Sequence, residues 1–532
     1  MSVVYCAFIL FFLFILKGAD TEKVRLSPAR GPSAERVYVP LLLILSILLL
    51  VFIYILPLPG ITSMNGVEAR AGMEAAFLSK NGVDSTGIWP AMARYSTLYA
   101  AILRPLEAAF GISPALLHAP AICLRILALL SLALMAARRL GGKRAVSVLF
   151  FLGAGAACLS GTVTTEAGLM LSVFLIGASA LGMALLTPKP GMLWFFLSMV
   201  LFGISVYTHP MALSFNALFL TLFFALLLRK KQLSIPACIF GMAVFLVIAL
   251  PAILSAAART FGLDMTWGPF TISGSTMVQE MHASPEPESL SKGLLQGIAR
   301  ALEAPPLVFS VWALGEILLV SGSRRASGSQ KTLYIMLSAW LPAAIFTLGQ
   351  AGNHFEMALC PLLILLAIRA AEAAQNGKAG VLLAVIPLYV AVMALLAPMA
   401  GQSLTAEEQT RNGLYRALTD SYRMDYDEYY IGADDEKMEE AIWPQLMLAH
   451  GIDYAAWQEE TDLLDAEGEH TDWYYTERYF FLSDPEAFEP DPMACSVYVM
   501  PKTWQGYFSE EEYLLYDYED YFVAYPQYWA EE

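Results

Sequence analysis

Charge is scarce in this chain. Only 15% of its 532 residues are Asp, Glu, Lys or Arg, while 57% are hydrophobic and the mean hydropathy is +0.55. A soluble globular domain carries about 25% charge, so these figures exclude a chain solvated mainly by water. Cysteine is also sparse, with six residues, five of them (Cys6, Cys123, Cys158, Cys238, Cys360) inside apolar runs. That excludes a disulfide framework and makes those five small core hydrophobes. Cys495 stands without a neighbouring partner in the acidic C-terminal part, so no structural disulfide is predicted. A Walker loop, a dinucleotide fingerprint, HExxH, GxSxG and paired Cys or His at metal-ligand spacing are all missing, which removes the common soluble-enzyme classes.

What the chain has instead is apolar runs long enough to cross a hydrocarbon core of about 30 Å. They are Val37 to Pro57, Ala115 to Ala137, Ala145 to Leu159, Ala167 to Leu186, Met192 to Tyr207, Met211 to Leu228, Ile235 to Ala256, Pro306 to Val320, Thr332 to Leu348, Met357 to Ala371 and Gly380 to Ala397. A shorter run, Val3 to Leu16, reads as an extra spanning helix or as a signal peptide; it lacks a basic leader and a clear cleavage site. The expected fold is therefore an all-α polytopic membrane protein of about 11 to 12 transmembrane helices.

Orientation follows from the basic loops, because Lys and Arg clusters stay in the cytoplasm. Arg138, Arg139, Lys143 and Arg144, then Arg229, Lys230 and Lys231, then Arg324, Arg325 and Lys331 fall in alternate connections. The segments between them, including the long loops 58–114 and 257–305, are then external. Within the first, Glu68 to Lys80 reads as an amphipathic helix, and Ala93 to Phe110 as an interfacial helix broken at Pro105. The second reads as a lid-like loop with a helical stretch near Ser289 to Leu302.

The net charge of −16 is concentrated after Ala400. Three regions result: a hydrophobic segment and basic loop, 1–36; a transmembrane domain, 37–400; and an acidic extracytoplasmic domain, 401–532. In the last, helical stretches near Glu407 to Tyr422 and Glu436 to Ala449 alternate with strand-like Glu428 to Gly432, Ser496 to Met500 and Tyr521 to Tyr525, which predicts a small α/β domain. Its Tyr, Trp, Asp and Glu density is compatible with carbohydrate or cation binding, or with an acidic solvated surface over an aromatic core. No spacing there fits a calcium loop.

Ionisable groups at membrane depth cost roughly 2.5 to 3.5 kcal/mol, which makes those retained near helix ends functional candidates. They are Glu68, Arg125, Glu166, His209, Glu316, His354 and Glu356. Most fall at external helix ends, where they can converge on one cavity. Arg125 and Glu316 lie within spans and read as a structural ion pair or as snorkelling side chains.

The run Val67-Glu68-Ala69-Arg70, continuing through Glu74 to Asn81-Gly82 and then Thr97-Leu98-Tyr99, resembles the DE-x-R…G…PLY pattern of polyprenyl-phosphate-dependent glycosyltransferases of the GT-C fold. Bacterial relatives of the protein O-mannosyltransferases and aminoarabinose transferases, the family 39-like enzymes, share it. Also similar are Arg138-Arg139-Leu140-Gly141-Gly142, Thr164-Thr165-Glu166, Tyr207-Thr208-His209-Pro210 and Asn353-His354-Phe355 before Pro361. The resemblance covers about residues 37 to 400. One departure is Val67, where the family carries Asp; Glu68 then serves alone or with Glu166, or the chain is a divergent or inactive member.

The resemblance implies a hexosyl- or mannosyltransferase-like enzyme of the plasma membrane. Its donor would be a polyprenyl-phosphate sugar, and its acceptor an extracytoplasmic protein, lipid or cell-wall glycan. Glu68 and Glu166 are the candidate catalytic carboxylates. Arg70, Arg94, Tyr99, His209, Asn353 and His354 are candidates for binding the donor phosphate. Membrane lipid is an expected partner, nucleic acid is not, and a divalent metal stays open. Two competing readings are a transporter or flippase, for which no internal repeat is seen, and an assembly protein docking through its acidic tail.

Overall fold

In a computed structural model, the chain is described at residues 97–140, 166–185, 191–208, 212–230, 233–261, 265–267, 270–272, 306–325, 329–348, 413–422, 426–433, 445–451 and 478–530. Isolated helical positions are also described at 44, 47, 48, 50, 51, 55, 69, 71–73, 75, 360, 361, 364, 365 and 442. The expected segments Val3 to Leu16, Ala145 to Leu159, Ser289 to Leu302 and Gly380 to Ala397 lie outside these residues.

Eight helices form the described membrane part: α1 (Thr97–Phe110), α2 (Pro114–Leu140), α3 (Glu166–Leu185), α4 (Met192–Ser205), α5 (Ala212–Arg229), α6 (Ile235–Phe261), α7 (Pro306–Arg325) and α8 (Ser329–Leu348). Seven of them, α2 to α8, coincide with expected spans. Three stretches, Pro114–Ala136, Gly168–Leu185 and Ala212–Arg229, are long and apolar enough to cross a membrane. A two-strand ribbon, β1 (Met265–Trp267) with β2 (Phe270–Ile272), follows α6.

Small residues let these helices approach, since lipid offers no hydrophobic reason for two apolar helices to associate. A Cβ at Gly177 of α3 would stand 2.9 Å from the Phe202 ring of α4, and one at Gly203 of α4 would stand 2.6 Å from Ile248 of α6. Aromatic rings fill the space that remains. Phe174 of α3 packs on Phe202, Phe215 and Phe219, and on Trp340 of α8 at 4.6 Å, which ties α3, α4, α5 and α8 into one core.

The contacts also fix helix direction. Arg125 meets Ser172, Ser131 meets Ser179 and Met135 meets Gly182, so α2 and α3 advance together and are parallel. Phe195 meets Gly241 and Gly203 meets Ile248, which makes α4 and α6 parallel. By contrast Phe202 meets Phe219 while Phe195 meets Phe224, so α4 and α5 are antiparallel. Ser198 against Gly177 and Phe202 against Phe174 make α3 and α4 antiparallel as well. Consequently the starts of α2, α3 and α5 share one end of the bundle with the ends of α4 and α6. The C-terminal ends of α2, with Arg138 and Arg139, and of α5, with Arg229 and Lys230, share the other.

Two sequence expectations change. The α1 helix runs through Pro105 unbroken, with the proline on its exposed side. In the expected helix Glu68 to Lys80 the described positions Ala69, Ala71, Met73 and Ala75 are buried, and the polar positions Arg70 and Glu74 lie outside the described residues. Arg125 does not snorkel: it is 2% exposed, its Nε donating to Ser172 Oγ at 2.9 Å and its Nη2 to the Gly168 carbonyl at 3.0 Å. Of the described cysteines, Cys238 and Cys360 are buried as expected, whereas Cys123 lies on the outer face of α2.

The C-terminal domain is a mixed five-strand sheet in the order β4-β3-β5-β7-β6. The strands are β3 (Glu428–Gly432), β4 (Tyr479–Leu482), β5 (Ser496–Pro501), β6 (Tyr513–Tyr518) and β7 (Tyr521–Pro526). Strand β3 runs parallel to both β4 and β5, and β7 runs antiparallel to β5 and β6. The two central strands β5 and β7 are buried at every position, because both faces of the sheet are covered. On one face α9 (Leu414–Ser421) and the helical residues 445–450 cover Tyr429, Ile431, Val497, Val499 and Val523. On the other Trp504, Phe508 and Tyr513 pack on Tyr498, Met500 and Phe522. The chain enters α9 through Gly413 at φ +84°, where a Cβ would collide with the Tyr518 carbonyl. A short α10 (Gln527–Ala530) closes the described chain.

Candidate functional site

Segments singled out by the sequence meet at one end of the bundle. The backbone N–H of Leu98, at the start of α1, donates to the Tyr207 carbonyl just beyond α4 at 3.4 Å. The Tyr99 hydroxyl, 1% exposed, donates to the Leu117 carbonyl of α2. The Tyr207 hydroxyl donates to the Ile248 carbonyl of α6 at 2.6 Å. Thus Thr97-Leu98-Tyr99 and Tyr207-Thr208 are held together against α2 and α6, at the end where α3 begins with Glu166.

Side chains wind down the last turn of α4 and so set the Tyr207-Thr208 turn. A helix end leaves its final carbonyls without intrahelical partners. Here the Asn216 amide of α5 donates to the Phe202 carbonyl at 3.1 Å and to Ser205 Oγ at 2.7 Å. Ser205 Oγ donates to the Phe202 carbonyl at 2.8 Å, and Thr208 Oγ1 to the Ser205 carbonyl at 2.6 Å. On the neighbouring side Arg125 binds the first turn of α3, fixing the helix that Glu166 opens.

Among the sequence-predicted site residues, Tyr99 is a buried strut between α1 and α2, and Glu166 is the first residue of α3. Glu68, Arg70, Arg94, His209, Asn353 and His354 lie outside the described residues. Glu316, the other ionisable group within a span, accepts from Ser338 Oγ of α8 at 2.8 Å. Among the described residues no group of three His, Cys, Asp or Glu is placed to hold a metal ion.

Sequence reasoning missed Glu107. Tyr99, Leu103 and Glu107 recur every four residues along the buried stripe of α1, so Glu107 occupies a position that periodicity assigns to an apolar side chain. It is 7% exposed, and among the described residues neither carboxylate oxygen has a hydrogen-bond partner. Burial pushes its carboxyl up to about 8. A Cβ placed at Gly72 would stand 3.4 Å from Glu107 Oε1 and 3.1 Å from both Leu117 Cδ2 and Leu448 Cδ1. Four chain segments therefore meet around Gly72, beside the Glu107 carboxyl, one of them from the C-terminal domain. Met447 and Leu448 belong to the membrane core cluster, and Tyr415 packs against it. Burial also raises the Tyr415 hydroxyl, and the charge of Glu107 acts on it in the same direction. The legible signal was a lone carboxylate in the apolar helix Thr97–Phe110.

The class these features define is a multi-spanning membrane protein whose helical bundle carries a mixed α/β domain at the end opposite its basic helix termini. No family model and no curated protein matches the chain. Among solved structures it is similar to ArnT from Cupriavidus metallidurans bound to undecaprenyl phosphate, at 12% identity over 92% of this chain and 97% of that one, with a TM-score of 0.48. The oligosaccharyltransferase of Archaeoglobus fulgidus in the apo form is 12% identical over 76% of this chain and 64% of that one, with a TM-score of 0.47. Likenesses of this strength leave the functional reading to the residues of the chain itself.

Proposed function

We propose that this chain is a GT-C membrane glycosyltransferase that moves a sugar from a polyprenyl-phosphate carrier to an extracytoplasmic acceptor. The observation that carries the reading is convergence. Thr97-Leu98-Tyr99, Tyr207-Thr208 and the helix opened by Glu166 are far apart in sequence, belong to separate motifs of the resemblance, and gather at one bundle end. That end lies opposite the Arg138-Arg139 and Arg229-Lys230 termini, and the positive-inside rule makes it external. Contact of Leu448 with this end supports an extracytoplasmic C-terminal domain.

In this reading Glu68 takes the proton of the acceptor hydroxyl as its oxygen attacks the anomeric carbon. The bond from that carbon to the phosphate oxygen breaks, and the lipid phosphate leaves as an anion. Arg70, Arg94, His209, Asn353 and His354 hold that anion. Glu166 is the partner carboxylate, and the apolar helix surfaces hold the prenyl tail.

The test is transfer by purified protein supplied with polyprenyl-phosphate sugars. Glu68→Gln is expected to abolish transfer, a loss of at least 10²-fold, with unchanged thermal unfolding. Undiminished transfer by that variant would remove Glu68 as the base; absence of transfer by the wild type across sugar donors and acceptors would remove the transferase reading.

A further inference from the structure

The Glu107 carboxyl is buried at the seam between the membrane bundle and the C-terminal domain, and among the described residues nothing there stabilises its charge. We propose that Glu107 is a proton-controlled latch: neutral, it lets the C-terminal domain seat on the bundle, and ionised, it drives the two apart. The inference is independent of the transferase reading.

Geometry carries it. The carboxyl lies beside Gly72, on which Leu117 of α2 and Leu448 of the C-terminal domain also converge, all apolar, and among the described residues both of its oxygens are without hydrogen-bond partners. A carboxylate held there as an anion would lose its hydration without compensation, whereas a neutral carboxyl fits. Undocking the C-terminal domain removes Leu448 and Tyr415, and water then reaches the carboxyl. Docking and ionisation therefore exclude each other.

Among the described residues, the other titratable or charged groups around the seam do not supply the countercharge. On α1 itself Arg104 lies one turn earlier, without a pairing to Glu107. On α2 the neighbour is His118, adjacent to Leu117. On α9 Tyr415 couples to Glu107 as a second acid, and Arg416 faces Asp420 at 3.9 Å. On helix 445–450 His450 is committed to Tyr479 and Leu418. Arg70 and Glu74, near Gly72 in sequence, lie outside the described residues.

The sign is set by a carboxyl whose closed-state value, about 8, stands above its ordinary 4.5. Docking is strongest below pH 4.5 and weakens about tenfold per pH unit as pH rises, levelling off above 8. Between pH 6 and 8 the docking equilibrium constant falls roughly 50-fold.

The experiment uses the full chain in lipid nanodiscs with Leu448→Cys, in wild-type and Glu107→Gln backgrounds. A water-soluble maleimide reads exposure of position 448 at each pH, and the ratio of the two rates cancels thiol chemistry. The ratio is expected to climb by up to roughly 50-fold from pH 6 to 8, with His118→Gln leaving the climb in place. A ratio flat with pH, or a climb that His118→Gln abolishes, overturns the proposal. Should the cysteine chain not fold, hydrogen exchange at residues 445–451 in the two backgrounds reads the same ratio: a climb with pH supports the latch, and a flat ratio overturns it.

Discussion

Acid should loosen the C-terminal domain through one histidine. His450 is 5% exposed; one ring nitrogen, Nε2, lies 2.9 Å from the Leu418 carbonyl and the other, Nδ1, lies 3.0 Å from the Tyr479 hydroxyl. A carbonyl only accepts, so Nε2 carries the proton and Nδ1 accepts from Tyr479. Rings of Tyr422, Tyr429 and Tyr479 enclose it at 4.6, 4.9 and 5.5 Å. Burial lowers the imidazole from 6.5 to about 4, so the folded domain holds it neutral while the unfolded chain binds a proton below pH 6.5. The unfolded state thus gains protons as pH falls from 6.5 to 4, and stability falls with it. At about 1.4 kcal/mol per pH unit this amounts to roughly 3 kcal/mol, fully present above pH 6.5 and fully lost below pH 4. The assay is denaturant unfolding of the full chain, followed by hydrogen exchange in 414–422 and 445–451 at pH 7, 5.5 and 4. In His450→Gln the donor to Leu418 is retained and the titration removed, so its stability relative to wild type should improve by about 3 kcal/mol between pH 7 and 4. Parallel acid curves for the two proteins would refute the reasoning.

Replacing Arg125 by Met removes donors to Gly168 and Ser172 and should cost on the order of 2 to 3 kcal/mol, read as a fall in thermal midpoint in detergent. Arg125→Lys should recover only part of that, since an ammonium lacks the planar fork that spans the two acceptors. Gly203→Ala should destabilise by about 1 to 3 kcal/mol, and more than Gly177→Ala. Its new methyl meets the stiff Cβ and Cγ2 of Ile248, whereas that at 177 meets the edge of the Phe202 ring; the reverse order in denaturant midpoints would count against the packing argument. Trp340→Ala, emptying a fully buried site beside Phe174, should cost about 3 to 5 kcal/mol by the same measurement.

Much of this architecture was legible from hydropathy alone. Seven described helices fall where uninterrupted apolar runs predicted spans, because in hydrocarbon a backbone must bond internally and a run of sufficient length has little alternative to helix. The strands Glu428 to Gly432, Ser496 to Met500 and Tyr521 to Tyr525 were legible too, as dense aromatic and β-branched runs. Two edge strands, β4 and β6, were not: Tyr479–Leu482 is short, and Tyr513–Tyr518 is exposed and interrupted by Asp517, so neither shows a clean buried pattern.

Composition and periodicity by themselves determined that the chain lives in a membrane, where its helices run, and that an acidic α/β domain follows them. Those properties depend on local hydrophobicity summed over a window, and sequence records that directly. Tertiary structure alone decided that Leu98 reaches Tyr207, that Arg125 is spent on the first turns of α3, and that Glu107 lies beside Gly72 with no partner among the described residues. The cost of an ionisable side chain depends on what surrounds it in three dimensions. In one dimension Arg125 and Glu107 are each a single charge in an apolar helix, and only packing distinguishes the bonded one from the stranded one.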